Sequence, residues 1–397
     1  MKVLIALTYY RPHTSGLTIY VERLARALAD RGHTVTVLTS QYDRALPRGE
    51  HLHGVNVVRV PVAFRVSKGV IMPAIGLVAT KLAREHDVLS LHLPQFDASG
   101  IALRGQLMKK PVVLTYHSDL TLPRGLFNRF VDRVVFISNM VAARLSDAIS
   151  AYTQDFATHS PFLSRYLNKV HVIPPPVHVH TPSQAEIEAF RQKWNPGGLR
   201  VIGMATRLAA EKGVEYLLGA LPRVREEFPH TRVLFAGQHQ DVLGEEAYAR
   251  RLAPLIEREG GRWTFLGNLD QVQIASFFSC LDVLVVPSIN STETFGLVQV
   301  EAMLLGTPSI ASDLPGVRQP VRMTGMGEVV PIHDSAALAE AIIRVLRDRD
   351  RYVRLRADIE ALFSTERTAE RYERLFGELL AGKSRPTVYA PQITSHK

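Results

Sequence analysis

Two carboxylates, Glu293 and Glu301, stand with seven residues between them in Glu293-Thr294-Phe295-Gly296-Leu297-Val298-Gln299-Val300-Glu301. The stretch follows an apolar, strand-like run, Asp282 to Pro287, and opens an apolar segment, Leu297 to Leu305, that reads as a helix. This placement predicts Glu293 on the loop at the helix N-terminus and Glu301 about two turns deeper. The amides of Phe295, Gly296 and Leu297 can then face a ligand beside the first carboxylate. Amides at a helix start favour anionic oxygens, and a carboxylate accepts from sugar hydroxyls. Such a site holds a phosphate and a polyol together.

Upstream, Met204-Ala-Thr-Arg-Leu-Ala-Ala-Glu-Lys-Gly213 leaves a strand and enters a helix. Arg207 falls at the strand tip, and Lys212 is expected to begin the helix. Two cations at such a turn suit a diphosphate, whose charge must be offset as a bond to phosphate breaks. In the first half, Pro12-His-Thr-Ser-Gly-Leu-Thr-Ile-Tyr20 joins a strand to a helix, and Gly16 lets the backbone approach a ligand closely. His117, in Thr115-Tyr-His-Ser-Asp119, ends a strand on the same side. His13 is a second histidine there, a candidate general base. Other features carry less. His171, His178 and His180 lack the nearby carboxylates or thiols of a metal centre. Cys280 reads as a core residue, and no phosphate-binding P-loop, catalytic triad or zinc spacing is visible.

The elements that must position these residues alternate along the chain. Val3–Leu7, Val35–Leu38, Val55–Val60, Val88–Leu91, Val112–Tyr116 and Ala148–Tyr152 read as strands. Between the first two, Tyr20–Ala29 has helical spacing and ends near Gly32, a C-cap. The pattern stops at Lys169–Val177, where three prolines predict a stiff extended connector. It restarts with strands at Arg200–Thr206, Val233–Ala236, Thr264–Leu266, Leu281–Val286, Ser309–Ala311 and Glu328–Val330. Helices fit at 212–227, 244–259, 271–279, 294–305 and 335–347. The expectation is an α/β chain of two doubly wound, parallel-sheet domains facing each other across a cleft, with ligands at the C-terminal strand ends. The boundaries are 1–175, 176–364, a C-terminal helix at 365–383 and a disordered tail at 384–397.

At 397 residues the chain is long enough for two such cores, and its 46% hydrophobic and 21% charged content is that of a globular protein. No apolar run approaches the roughly 20 residues of a membrane-spanning helix, and the N-terminus reads as a strand rather than a signal peptide. The single cysteine permits no intrachain disulfide and fits a cytoplasmic setting. The net charge of +9 is uneven: residues 1–175 hold 21 Lys+Arg against 11 Asp+Glu. This surplus suits scattered solvated arginines, or attraction to a phosphate-bearing acceptor or the cytoplasmic face of an anionic membrane. Nucleic acid is not expected, because no basic stripe with interleaved aromatics appears.

These residues together resemble glycosyltransferase family 4, retaining enzymes of the GT-B fold. The likeness runs from Met1-Lys-Val-Leu-Ile5 through Gly32–Val37 and Val172–Val177. It continues through Arg207 with Glu211-Lys-Gly213, Phe265-Leu-Gly267 and Glu293 to Gly306-Thr-Pro308. The resemblance implies that Arg207 and Lys212 grip the diphosphate of a nucleotide-sugar and that Glu301 accepts from its ribose. Glu293 and Thr294, with the amides of Phe295 to Leu297, would orient the donor sugar. His117 would lie beside that sugar, Gly16 would bring the first loop to the phosphates, and Leu266 and Gly267 would flank the base. It also implies that the last helix crosses back onto the first domain. Two departures stand out: Ser15-Gly16 replaces the two glycines of many members, and Pro174-Pro-Pro176 stands where Asn-Gly is common.

The implied reaction is hexosyl transfer from a nucleotide-sugar to the hydroxyl of a sugar or lipid-linked acceptor, with retention, in glycan or glycolipid synthesis. It needs no metal and no cofactor. The alternatives are a nucleotide-sugar epimerase or hydrolase of the same fold, an inverting transferase using His13, and a non-catalytic nucleotide-sugar-binding protein.

Overall fold

The computed structural model describes residues 1–66, 69–118 and 126–382 and divides into two compact units. The first comprises Met1–Pro176 with the chain from Phe363 onward, and the second is Val177–Leu362. The tail expected to be disordered, 384–397, lies outside the described residues, as does Asp119 of the His117 motif.

In the first unit the strands are β1 (Lys2–Ala6), β2 (Thr34–Gln41), β3 (Gly49–Leu52), β4 (Val55–Pro61), β5 (Phe64–Val66), β6 (Gly69–Ile71), β7 (Val88–Leu93), β8 (Val112–Tyr116), β9 (Ala148–Ala151) and β10 (Val170–Val172). Eight of them form one sheet in the order β10-β9-β8-β7-β1-β2-β4-β3, parallel except where β3 meets β4, while β5 and β6 pair separately. Burial on both faces explains the nearly unbroken Val-Leu-Ile run of β1. Helix α1 (Gly16–Asp30) begins where the Ser15 hydroxyl accepts from the Thr18 amide at 3.2 Å. It ends at Gly32, whose φ of +84° lets the His33 amide turn back to Leu28 O.

Three details differ from the sequence reading. Lys169–Val177 is not all connector, because Val170–Val172 pairs in parallel with β9 as the sheet edge. Strand β3 adds an antiparallel edge whose half-polar Gly-Glu-His-Leu gives no apolar run to recognise. The third lies on β7, β8 and β9, whose alternate residues part by chemistry. Leu89, Leu91, Leu93, Leu114 and Ile149 join one apolar core. Ser90, His92, Thr115 and Ser150, equally buried, alternate with them. The C-terminal helix Thr365–Leu380 covers this polar set: Tyr372 and Phe376 are fully buried, and the Tyr372 hydroxyl meets Tyr20, Thr115 and Ser150 at 2.8–3.0 Å. Each such aromatic contributes about 1.5–3 kcal/mol by burial.

The second unit has β11 (Arg200–Ala205), β12 (Thr231–Ala236), β13 (Trp263–Gly267), β14 (Val283–Val286), β15 (Ser309–Ser312) and β16 (Gly327–Val330), all parallel in the order β13-β12-β11-β14-β15-β16. Helix α2 (Val214–Glu227) follows β11, and α3 (Leu297–Leu304) follows β14. Winding reverses between β11 and β14 here, and between β1 and β7 in the first unit. Open α/β sheets bind ligands at the C-terminal ends of such strand pairs.

Candidate functional site

At the β11/β14 reversal the two loops after these strands are locked together. The Ile289 amide, beyond β14, donates to Glu211 O beyond β11 at 3.0 Å. Gly213 has φ +64°, and a Cβ there would stand 2.2 Å from Pro287 O, so only glycine lets the β11 loop come this close. This break corrects one expectation. Lys212 does not begin the helix; it closes a short 3-10 turn, Ala210–Lys212, and α2 starts after the glycine.

The turn aims Lys212 across the gap, where its Nζ donates to Glu293 Oε2 at 2.6 Å. Arg207 is exposed and reaches Glu211 at 3.2 Å. The Arg207–Glu211 pair, with its guanidinium exposed, contributes about 0–1 kcal/mol to stability, while the Lys212–Glu293 pair is half-buried. Gly296, φ +75°, caps α3, and Leu297 opens it, half-buried. Thr294 and Phe295 are buried. Glu301 is half-buried on α3.

A residue that sequence reasoning passed over fixes this loop. Gln299 is fully buried and donates through Nε2 to Phe295 O and Val317 O at 3.2 and 2.9 Å, while Ser309 Oγ donates to its Oε1. A polar residue among Val298, Val300 and Ala302 was the available signal. On the other side of β11, the Gly237 amide donates to Gly267 O at 2.7 Å. A Cβ on Gly237 would meet Thr206 O at 2.1 Å. Gly267 and Leu266 therefore end β13 beside the β12 loop, whose Gly237 in turn lies against Thr206 after β11. There the half-exposed His239 ring stacks on Phe265 at 4.2 Å and 6°.

In the first unit Gly16 is exposed, with an ordinary φ, and a Cβ there would meet nothing within 4 Å. The chain itself does not require glycine at this position. His13 stacks on Tyr9 at 4.9 Å, and burial lowers its pKa. His117 directly follows β8, its amide donating to Leu93 O at the end of β7. Both of its ring nitrogens meet protein groups, Nε2 with His92 Nδ1 at 2.8 Å and Nδ1 with the Tyr152 hydroxyl. Burial and the neighbouring His92 hold its pKa well below the ordinary histidine value. It is a neutral, clamped ring.

The residues set aside have structural surroundings. His171 is buried on β10, which pushes its pKa down to about 4, and Cys280 is half-buried with its thiol raised by burial. No group of metal-ligating side chains occurs among the described residues. The structure thus joins Lys212 directly to Glu293 and links Arg207 to the same turn through Glu211.

Residues 186–361 match the family described as Glycosyl transferases group 1, and residues 15–176 match the Glycosyl transferase 4-like domain. The D-inositol 3-phosphate glycosyltransferase of Xylanimonas cellulosilytica is 30% identical, across 87% of this chain and 87% of its own length. The chain belongs to glycosyltransferase family 4. A second relative, the phosphatidyl-myo-inositol mannosyltransferase of Mycobacterium tuberculosis (strain ATCC 25618 / H37Rv), is 27% identical over 89% of this chain and 90% of its own. In fold, the transferase superposes on the Anabaena Alr3699/HepE structure solved with UDP-glucose, with a TM-score of 0.74 at 21% identity. That match covers 96% of this chain and all of the other. Its two doubly wound sheets are those of the GT-B class.

Proposed function

We propose that this glycosyltransferase is a retaining hexosyltransferase whose nucleotide-sugar sits at the β11/β14 reversal. The Lys212–Glu293 contact of 2.6 Å supports the reading. A donor gives each half of that pair its own partner: the ammonium takes the diphosphate, and the carboxylate takes sugar hydroxyls. Glu301 accepts from the ribose, and Leu266 and Gly267 flank the base. Thr294 and the amides of Phe295, Gly296 and Leu297 line the sugar side; from the first unit, the family resemblance gives His117 the role of bordering a sugar and Gly16 that of approaching a phosphate.

In the transfer, the acceptor oxygen bonds to the anomeric carbon as the carbon–oxygen bond to the diphosphate breaks. The leaving diphosphate keeps the electron pair and receives the acceptor proton on the same face. Arg207, Lys212 and the α3 amides offset its growing charge. Because these cations fill the place of a divalent ion, turnover should survive EDTA.

The acceptor is a phosphate-bearing polyol, free or lipid-linked. The two relatives are named for phosphatidyl-myo-inositol and D-inositol 3-phosphate, and the basic surplus of the first 175 residues suits a phosphate-bearing group. A membrane-facing surface would draw on exposed apolar residues, Leu77, Leu107 and Phe130, and exposed cations near two of them in sequence, Lys81, Arg129 and Arg133. No helix among the described residues is long and apolar enough to span a membrane.

A thermal-shift panel of UDP-, GDP- and ADP-sugars identifies the donor. Product NMR with D-inositol 3-phosphate as acceptor then reads the anomeric configuration. An inverted product, or donor consumed equally without acceptor, refutes the retaining transfer. Unchanged turnover in Arg207→Ala refutes the donor seat. Failure to sediment with anionic vesicles at low salt removes the membrane surface.

A further inference from the structure

The polar face of β7–β9 is an unusual way to build a core. Buried polar groups cost stability unless every one is bonded, and an apolar set at these positions would pack as well. Here they form a chain. Ser90 Oγ lies 3.4 Å from His92 Nε2, His92 Nδ1 lies 2.8 Å from His117 Nε2, and His117 Nδ1 meets the Tyr152 hydroxyl. The two imidazoles stack at 5.1 Å, and Tyr20 of α1 stands edge-on to His117 at 4.8 Å and stacks on Tyr152 at 5.4 Å.

Burial keeps both rings uncharged, His92 pushed down to about 3. A neutral imidazole carries one N–H, so hydrogen bonds along the chain must all point the same way. If Tyr152 donates to His117, then His117 donates to His92 and His92 to Ser90; otherwise the whole order reverses. The hydrogen on His92 therefore decides the tautomer of His117.

We infer that His92 and Tyr152 are positioning residues for glycosyl transfer, clamping His117 by both ring nitrogens so that it meets the sugar as a fixed, uncharged surface. The inference rests on the placement of His117 beside the donor sugar proposed above. It makes His117 neither the acid nor the base of the reaction. It also explains why the sheet spends buried hydrogen-bonding groups here rather than leucines.

The test compares the wild-type chain with His92→Phe, His92→Asn and Tyr152→Phe. The donor is whichever of UDP-glucose, GDP-mannose and ADP-glucose stabilises the wild type, with D-inositol 3-phosphate or water as acceptor. Nitrogen-15 imidazole spectra are recorded on the same samples. His92→Phe should lower kcat by about 10- to 100-fold, the usual result of a misplaced group. Its donor KM should stay within about twofold, because binding energy made equally in ground and transition states is untouched. His92→Asn, whose amide nitrogen can stand where Nδ1 does, should recover part of the loss. Tyr152→Phe keeps the stack on Tyr20 and loses only the hydroxyl, so it reports even if His92→Phe fails to fold.

The wild-type spectra should show His117 as one neutral tautomer from pH 6 to 8, and the variants a mixture. Folded variants with wild-type kcat overturn the inference, as does a His117 ring that titrates near its ordinary value. If the wild type turns over no donor, the transfer reading itself falls, and the spectra still separate that failure from a loose histidine.

Discussion

The two units reverse their sheets in the same manner but fill the reversal with opposite chemistry. Around β11/β14 the groups are charged and keep contact with water: Arg207, exposed, with Glu211, and Lys212 with Glu293, both half-buried. Near β1/β7 they are neutral and buried: Ser90, His92, His117, Tyr152 and the hydroxyls around Tyr372. An accessible ion pair is cheap to open, so a ligand can take it over. A buried neutral network is costly to open, so it holds its members still. One architecture thus carries a charged, water-contacting set at one reversal and a buried neutral network at the other.

The largest test of this contrast is Lys212→Met. Removing a preorganised charge partner of a leaving diphosphate costs about 3–4 kcal/mol in the transition state, some 10²- to 10³-fold in nucleoside diphosphate release. The melting temperature should fall by only a few degrees, because both side chains keep some contact with water and Glu293 can be rehydrated. A variant that unfolds while its folded fraction turns over normally would reverse the roles assigned to the two units.

Next in size is acid stability. The folded-state pKa values of His92, His117 and His171 lie below the ordinary 6.5. The unfolded chain therefore binds protons that the folded chain refuses. The stability these groups allow at neutral pH is lost as pH falls below 6.5, toward about 4 for His171 and about 3 for His92. Asp97 has the opposite sign: burial raises it to about 6, so protonation favours the folded form. Between pH 6.5 and 5 His92 and His171 each cost about 1.5 kcal/mol, Asp97 returns about 1 kcal/mol, and His117 adds a loss of the same sign as the other histidines, so the balance is destabilising. All four groups belong to the first unit. Calorimetry should show that transition moving first on acidification, and equal shifts of both would break the comparison.

Tyr372→Phe comes third. Its hydroxyl is shared with Tyr20, Thr115 and Ser150, all fully buried, and removing it strands polar partners at a cost of about 2 kcal/mol. Protection of the C-terminal helix from hydrogen exchange should fall with it. A helix as protected as before would mean the apolar contacts of Leu375 and Phe376 hold it alone.

What was legible in the sequence follows the same division. The parallel sheets could be read because both of their faces are buried, so their strands are unbroken apolar runs such as Val283–Val286. Arg, Lys or Glu alone at a strand end is ordinary surface. The nearness of Lys212 to Glu293 could be anticipated only from the combination, two cations at a strand-to-helix turn and paired carboxylates downstream. The polar core could not. Ser90 and His92 look like interruptions of a strand until β8 and β9 set Thr115, His117, Ser150 and Tyr152 beside them, a fact of register and not of spacing. Lys212 was misplaced on a helix because a Gly after a Lys does not announce a left-handed turn; only the nearness of Pro287 O requires one.

The smallest expected effect is also the most discriminating. Gly16 opens α1 with an ordinary backbone, and a methyl group there meets open space. Gly16→Ala should therefore change stability by no more than about 0.5 kcal/mol. If glycine is present because a ligand phosphate lies against this backbone, the same methyl should raise a substrate KM severalfold with the fold intact. An unchanged KM would strip the first loop of its binding role. The first unit would then contribute orientation through its buried histidines, and the contact with charge would belong wholly to the second.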